Sequence, residues 1–213
     1  MPVVIGLTGK KRVGKDTVAA RLVNYHGFRR VAFADKLRAV VLAADPLVHI
    51  EQDEVGPARE AGLSALVGYG WANANHLRLS LLVEACGWEA AKEVREVRRL
   101  LQTTGVGVRD HLGSEAWVDA VESTVALSDR PVVITDVRFP NEAAFVQWRA
   151  DGYLARVVRD TGDAAAGAHS SETAMDAHPV DVTIDNNGTI DDLCEAADAL
   201  ARRALDREAD HLY

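Results

Sequence analysis

The stretch of this sequence best suited to chemistry is Gly9-Lys-Lys-Arg-Val-Gly14-Lys15-Asp16-Thr17. The spacing Gly-x4-Gly-Lys, the Walker A pattern of a P-loop, lets the backbone curl so that successive N–H groups face phosphate oxygens. A helix N-terminus behind the curl adds its partial positive charge, and Lys15 reaches the terminal phosphates of a nucleotide such as ATP. Gly9, Lys11, Arg12, Val13, Gly14 and Thr17 complete the wrap. Asp16 stands where a serine or threonine usually holds Mg2+, and the hydroxyl arrives one position later, at Thr17. A carboxylate there repels bound phosphate unless Mg2+, its waters, or Lys10 and Arg12 intervene, so Asp16 either helps to hold the cation or only complements the helix dipole.

Further candidates lie on other segments. Arg98 and Gln102 fall one turn apart on the polar face of a helical pattern, a guanidinium suited to a phosphate and an amide suited to a base or sugar; a solvated basic face is the plainer reading. Asp136 ends the buried run Val132-Val-Ile-Thr135, which puts its carboxylate at the carboxyl edge of a sheet, where open α/β sheets bind ligands; it is a second candidate for Mg2+, held through water, or for substrate. Arg138 and Glu142 follow on the next loop and helical turn, as site residues or surface charges, and Trp117 is equally suited to a core.

The elements that must carry these residues read as alternating strands and helices. Val3 to Leu7 is a strand buried on both faces, followed by a helix from Lys15 that stops at His26-Gly27. Arg30 to Ala34 is a short strand, with a helix opening at Asp35. Pro46, Pro57 and the glycines at 56, 62, 68 and 70 break every period between 45 and 77, which reads as a mobile, partly helical insertion. Helical order returns over 79–85 and again over 89–101, where Val94, Val97 and Leu101 share a face. Arg130 to Asp136 holds the next strand, with Pro140 opening a helix; Tyr153 to Val158 is another strand and Val180 to Ile184 the last. Asn186-Asn187-Gly188 is a turn, after which Thr189 caps a final helix with Asp192 three residues on. The small and polar run between Arg159 and Met175, with His169-Ser-Ser-Glu172 inside it, reads as a surface loop or lid. The pattern predicts a three-layer α/β domain of the P-loop NTPase type around a mostly parallel sheet. Its core is residues 1–44 and 110–213, with a helical substrate-binding insertion at about 45–109 and a lid at about 159–176.

Composition narrows the partners. The chain has 213 residues, enough for one such domain, and 24 Lys+Arg against 32 Asp+Glu, a net charge of -8 that argues against binding nucleic acid through its phosphates. Two cysteines, Cys86 and Cys194, suggest neither a disulfide framework nor zinc. No apolar run approaches the ~20 residues of a membrane span and no signal peptide is legible, so a cytoplasmic setting is expected.

The loop Gly9 to Thr17 resembles that of the deoxynucleoside monophosphate kinases of tailed bacteriophages. Phe33-Ala-Asp-Lys-Leu-Arg38, Val97-Arg-Arg-Leu-Leu-Gln-Thr-Thr-Gly105, Trp117-Val118, Ile134-Thr-Asp-Val-Arg-Phe-Pro-Asn-Glu142 and Asp185-Asn-Asn-Gly-Thr-Ile-Asp-Asp-Leu193 resemble the same family in the same order. The resemblance thins over 45–77, and Val106 departs from the threonine common in relatives. It implies transfer of the ATP γ-phosphoryl group to a deoxynucleoside 5′-monophosphate, with Mg2+ as cofactor. It places Lys10, Asp35, Lys36, Arg98, Gln102, Gly105, Trp117, Asp136, Arg138 and Glu142 around the monophosphate, and the loop Asn186-Asn187-Gly188 beside the adenine, with Asn187 and Gly188 as its binding residues. It also implies an arginine from the insertion, Arg78 or Arg59 with Arg78 preferred, and a lid arginine, Arg159, so that Lys15, Asp16, Arg78, Arg98 and Arg159 are the catalytic set. A phage protein working in the host cytoplasm, as a monomer or a homodimer, fits the resemblance. Dephospho-CoA and phosphomevalonate kinases share the P-loop and the Asn-Asn-Gly ending and are the nearest alternative. A nucleotide-switch ATPase or GTPase is disfavoured because no Asn-Lys-x-Asp guanine motif is present, and a binding module without turnover is the remaining class.

Overall fold

The structure, a computed structural model, describes residues 1–51, 54, 76–160 and 174–210. In chain order the elements are β1 (Val4–Thr8), α1 (Lys15–His26), β2 (Arg29–Val31), α2 (Phe33–Ala44), β3 (Leu47–His49), β4 (His76–Arg78), α3 (Leu79–Ala91), α4 (Arg95–Leu112), α5 (Ala116–Ala126), β5 (Val132–Ile134), α6 (Pro140–Ala144) leading into a π-helical turn (Phe145–Arg149), β6 (Tyr153–Val158), β7 (Val182–Asp185) and α7 (Ile190–Asp210). They divide into two compact units, one formed by Met1–Ala34 with Glu115–Tyr213 and the other by Asp35–Ser114. The second unit is wider at both ends than the insertion expected at 45–109.

The first unit is built on a five-stranded sheet in the order β2-β5-β1-β6-β7, with every pairing parallel. Parallel strands need helical crossovers, which cover both faces and leave the strands apolar throughout. Side chains alternate along β1 accordingly. Ile5 and Leu7 join a core with Val18 and Leu22 of α1 and Leu193, Ala197 and Leu200 of α7, whereas Gly6 faces Val146 of the π-helical turn on the other side. A methyl group on Gly6 would lie 2.8 Å from Val146, so the outer helical layer sits against bare backbone there. Helices on both faces of a parallel sheet give the three-layer α/β architecture of P-loop proteins. The chain leaves β1 toward β2 on one side and later crosses from β5 to β6 on the other, so the carboxyl end of β1 is a switch point where such sheets bind ligands.

The second unit packs Val41 of α2, Val48 of β3, Leu77 of β4, Leu79 and Leu82 of α3 and Val97 of α4 into its own core. β3 and β4 form an antiparallel ladder pairing Leu47 with Arg78, Val48 with Leu77 and His49 with His76. The expected partly helical insertion therefore opens and closes on strands; Arg59 and the rest of its middle lie outside the described residues.

Several boundaries differ from expectation. β2 ends at Val31, and Phe33 and Ala34 already belong to α2, because a carboxylate distant in sequence, Asp136, accepts their backbone N–H groups. α3 continues beyond Ala85 to Ala91 through a kink at Gly87, whose φ of 72° suits glycine. α4 starts at Arg95 rather than Glu89 and runs past Leu101 to Leu112. Helix α5 was not anticipated, although Val118, Val121 and Val125 recur at helical spacing and are fully buried. No helix among the described residues is long and apolar enough to cross a membrane.

Candidate functional site

The loop after β1 is shaped by backbone that favours glycine. Gly9 has φ 133° and Gly14 φ 105°, and a methyl on Gly9 would sit 2.3 Å from the Val157 carbonyl of β6. Arg12, between them, holds φ 64°, an unusual conformation for a side-chain-bearing residue and one that clusters at functional sites. Helix α1 then starts on Gly14 with no side chain capping its N-terminus. Amides at such an end suit an anion. The Lys15 ammonium donates to the carbonyls of Gly9 and Lys10, both at 2.7 Å, so the lysine folds back over the loop it follows. Asp16, exposed, and Thr17 occupy the first turn of α1.

Because every strand of the sheet is parallel, the segments after β1, β5, β6 and β7 emerge at one edge. This brings Gly9–Thr17, Asp136, Arg138, Arg159, Asn187 and Gly188 to the same rim of the first unit. Asp136 spends one oxygen on the Phe33 N–H at 2.8 Å and the other on the Ala34 N–H at 2.9 Å, which ties β5 to the start of α2. Arg138 is exposed, and its N–H donates at 2.8 Å to the carboxylate of Glu142, which also accepts from Phe139 at 3.2 Å. Glu142 is 2 % exposed, so its charge is spent on shaping the loop that presents Arg138. Trp117 is also buried, in α5. Arg159 is exposed just past β6; residues 161–173 of the expected lid, His169 among them, lie outside the described residues.

The turn after β7 is ordered by its own polar groups. The Asn187 side-chain Oδ1 accepts from the Asp160 N–H at 2.8 Å, and the Asp185 carboxylate accepts from the Asn187 N–H at the same distance. Asp192 accepts from both the N–H and the hydroxyl of Thr189, bonds that hold its carboxyl below the ordinary range, and the Thr189 hydroxyl accepts in return from Asp192 N–H. A methyl on Gly188 would meet that carboxylate at 2.5 Å, so a side chain there would have to displace Asp192 from Thr189.

In the second unit, Asp35 and Lys36 occupy the first turn of α2, half-buried. Arg98 and Gln102 lie exposed one turn apart on α4, and Arg98 donates to Glu93 at 3.0 Å. Gly105, a further turn along, is buried, and a methyl there would touch Leu37 of α2 at 3.4 Å. Arg78 is exposed and donates at 2.8 Å to the Asp45 carbonyl.

Among the described residues no group of three or more His, Cys, Asp or Glu side chains could hold a metal by itself. Mg2+ carried with a nucleotide takes one or two protein groups and completes its shell with phosphate and water. The Thr17 hydroxyl and the carboxylates of Asp16 and Asp136 are of the hard-oxygen type it requires.

The family model for deoxynucleotide monophosphate kinase matches residues 87–196, just over half of the chain. The chain belongs to that family. It is therefore a nucleotide monophosphate kinase, a phosphotransferase acting on small molecules. The matched interval contains Arg98, Gln102, Gly105, Trp117, Asp136, Arg138, Glu142, Arg159, Asn187 and Gly188, and the loop Gly9–Thr17 lies outside it. The crystal structure of TT1252 from Thermus thermophilus is similar over 95% of this chain and 97% of that one, with 15% identity and a TM-score of 0.42. No curated protein matches the chain.

Sequence reasoning placed Asn186 in the turn beside the adenine and gave it no part in the phosphate loop. Its side-chain amide is buried and donates at 2.8 Å to the Val13 carbonyl of the loop. An asparagine directly after a buried strand was the available signal, but its partner is remote in sequence.

Proposed function

We propose that this kinase transfers the γ-phosphoryl group of ATP to the 5′-phosphate of a deoxynucleoside monophosphate, giving the deoxynucleoside diphosphate and ADP. The observation that carries this reading is the glycine-shaped loop at the carboxyl end of the central strand, with Lys15 folded over it, in a chain of this family. An acceptor phosphate oxygen forms a bond to the γ-phosphorus while the bond to the β,γ-bridging oxygen breaks and ADP departs. The acceptor oxygen is already anionic, so no strong base is needed and catalysis reduces to positioning and charge neutralisation.

In this reading Lys15 leaves the Gly9 and Lys10 carbonyls for the β and γ phosphates, and the amides from Lys11 to Thr17 hold the donor. Mg2+, when bound, neutralises charge shared by those phosphates; the Thr17 hydroxyl and the carboxylates of Asp16 and Asp136 would hold it. Asn187 and Gly188 border the adenine, while Lys10, Asp35, Lys36, Arg98, Gln102 and Arg138 serve the acceptor. Arg78 and Arg159 add charge to the transferring group. The burial of Glu142, Trp117 and Gly105 favours roles in shaping the acceptor side over direct contact.

A coupled ADP-release assay over all deoxy- and ribonucleoside monophosphates tests this. The expected result is ADP formation that depends on a deoxynucleoside monophosphate and falls by about 10²–10³-fold in Lys15→Ala, the scale of losing one transition-state donor. Turnover only with dephospho-CoA or phosphomevalonate, or hydrolysis indifferent to any acceptor, overturns it.

A further inference from the structure

We infer that Asn186 is a positioning residue for the phosphate-binding loop, fixing the direction in which the Gly14 amide points. The inference rests on reading Gly9–Thr17 as the nucleotide loop. A trans peptide sets its C=O and N–H in opposite directions, so the Val13 carbonyl and the Gly14 N–H turn as one rigid plate. The Asn186 amide holds the carbonyl end of that plate at 2.8 Å. The Gly14 N–H is thereby aimed away from Asn186. Without the bond the plate could turn over, because glycine tolerates the dihedral change that a flip demands. The flip would exchange a donor for an acceptor at the loop, and an oxygen facing an anionic phosphate is repulsive.

Three further observations fit this role. Asn186 is 9% exposed, so its amide has little water to fall back on and the bond to Val13 is costly to lose. Its backbone N–H donates to Val158 at 2.8 Å, which anchors the residue to β6, next to the loop-bearing strand. A methyl on Gly14 would lie 2.5 Å from the Asn186 amide nitrogen and 3.2 Å from Leu193, so the turn between β7 and α7 seats directly on the loop. That turn also carries Asn187 and Gly188, so one rigid piece orders both the phosphate end and the proposed adenine end of the donor.

Asn186→Asp keeps the shape and removes the donor; Asn186→Ala removes the whole group. Binding of Mg-ADP, measured by titration calorimetry, is expected to weaken by about tenfold in both, with KM for ATP rising in step and KM for the monophosphate within about twofold of wild type. A residue that only supports folding would lower kcat with the folded fraction and leave the KM for ATP unchanged, which would overturn the inference. If neither variant folds, the wild-type Gly14 amide proton decides by NMR: a downfield shift on adding Mg-ADP supports the inference, and no shift overturns it. A wild type that binds Mg-ADP with variants that bind it equally well removes the positioning role and leaves the kinase reading intact. A wild type that binds no nucleoside diphosphate removes both.

Discussion

At the scale of single residues, the rim of the sheet separates groups poised to meet a ligand from groups spent on holding it. In the proposed function Lys15 and Arg138 are of the first kind, and Glu142 and Asn186 of the second. Glu142 is the clearest instance, since a carboxylate buried to 2 % exposure tolerates its charge by accepting from two consecutive backbone amides. Glu142→Ala leaves those N–H groups unpaired and is expected to cost about 1–3 kcal/mol in urea unfolding, whereas Asp136→Ala would release the start of α2. Glu142→Gln retains one acceptor oxygen and should recover part of the loss. A Glu142→Ala protein as stable as wild type, with a raised KM for the monophosphate, would instead make the carboxylate a direct substrate contact.

At the scale of elements, α4 carries packing residues and proposed acceptor residues on one helix. Gly105 is interior to the helix, where glycine costs about 1 kcal/mol relative to alanine, and a methyl there reaches only ordinary contact with Leu37 at 3.4 Å. Gly105→Ala is therefore expected to hold or raise the melting temperature. A rise in the monophosphate KM at unchanged stability would show that the glycine is kept for substrate rather than for packing. Elements whose signals are local were legible in the sequence: α1 from Lys15 to the glycine stop, β6 from Tyr153 to Val158, Pro140 at the start of α6, and the Thr189–Asp192 cap. Elements decided by distant partners were not. Nothing near Phe33 announces that α2 begins there, because the cap comes from Asp136. The site divides the same way: the loop glycines and Lys15 are written in one short motif, while the bond from Asn186 to Val13 spans most of the chain.

At the scale of the whole molecule, segments from near the two ends of the chain are clamped together by charge. Asp198 of α7 accepts from Arg21 of α1 at 2.7 and 2.8 Å, with the His26 ring nitrogen 2.8 Å from the same carboxylate. The Arg21 hydrogen bonds, followed by that of His26, hold the Asp198 carboxyl well below its ordinary value of 3.8. A carboxyl made more acidic by folding stabilises the fold above its ordinary pKa and loses that contribution as pH falls below it. The melting temperature of Asp198→Asn should lie below wild type at neutral pH, and the gap should close progressively below pH about 4. A gap that stays constant into acid would assign the clamp to packing. The strand order has a consequence for synthesis as well. Among the described strands β1 pairs with β5 and β6, so Val4 waits for Val132 and Leu7 for Ala155. On a ribosome that interval lasts on the order of ten seconds, within which the whole of Asp35–Ser114 is made while the apolar run of β1 has neither neighbour. β1 is thus made long before its partners, and a nascent chain halted before Val132 leaves its apolar run without either neighbour.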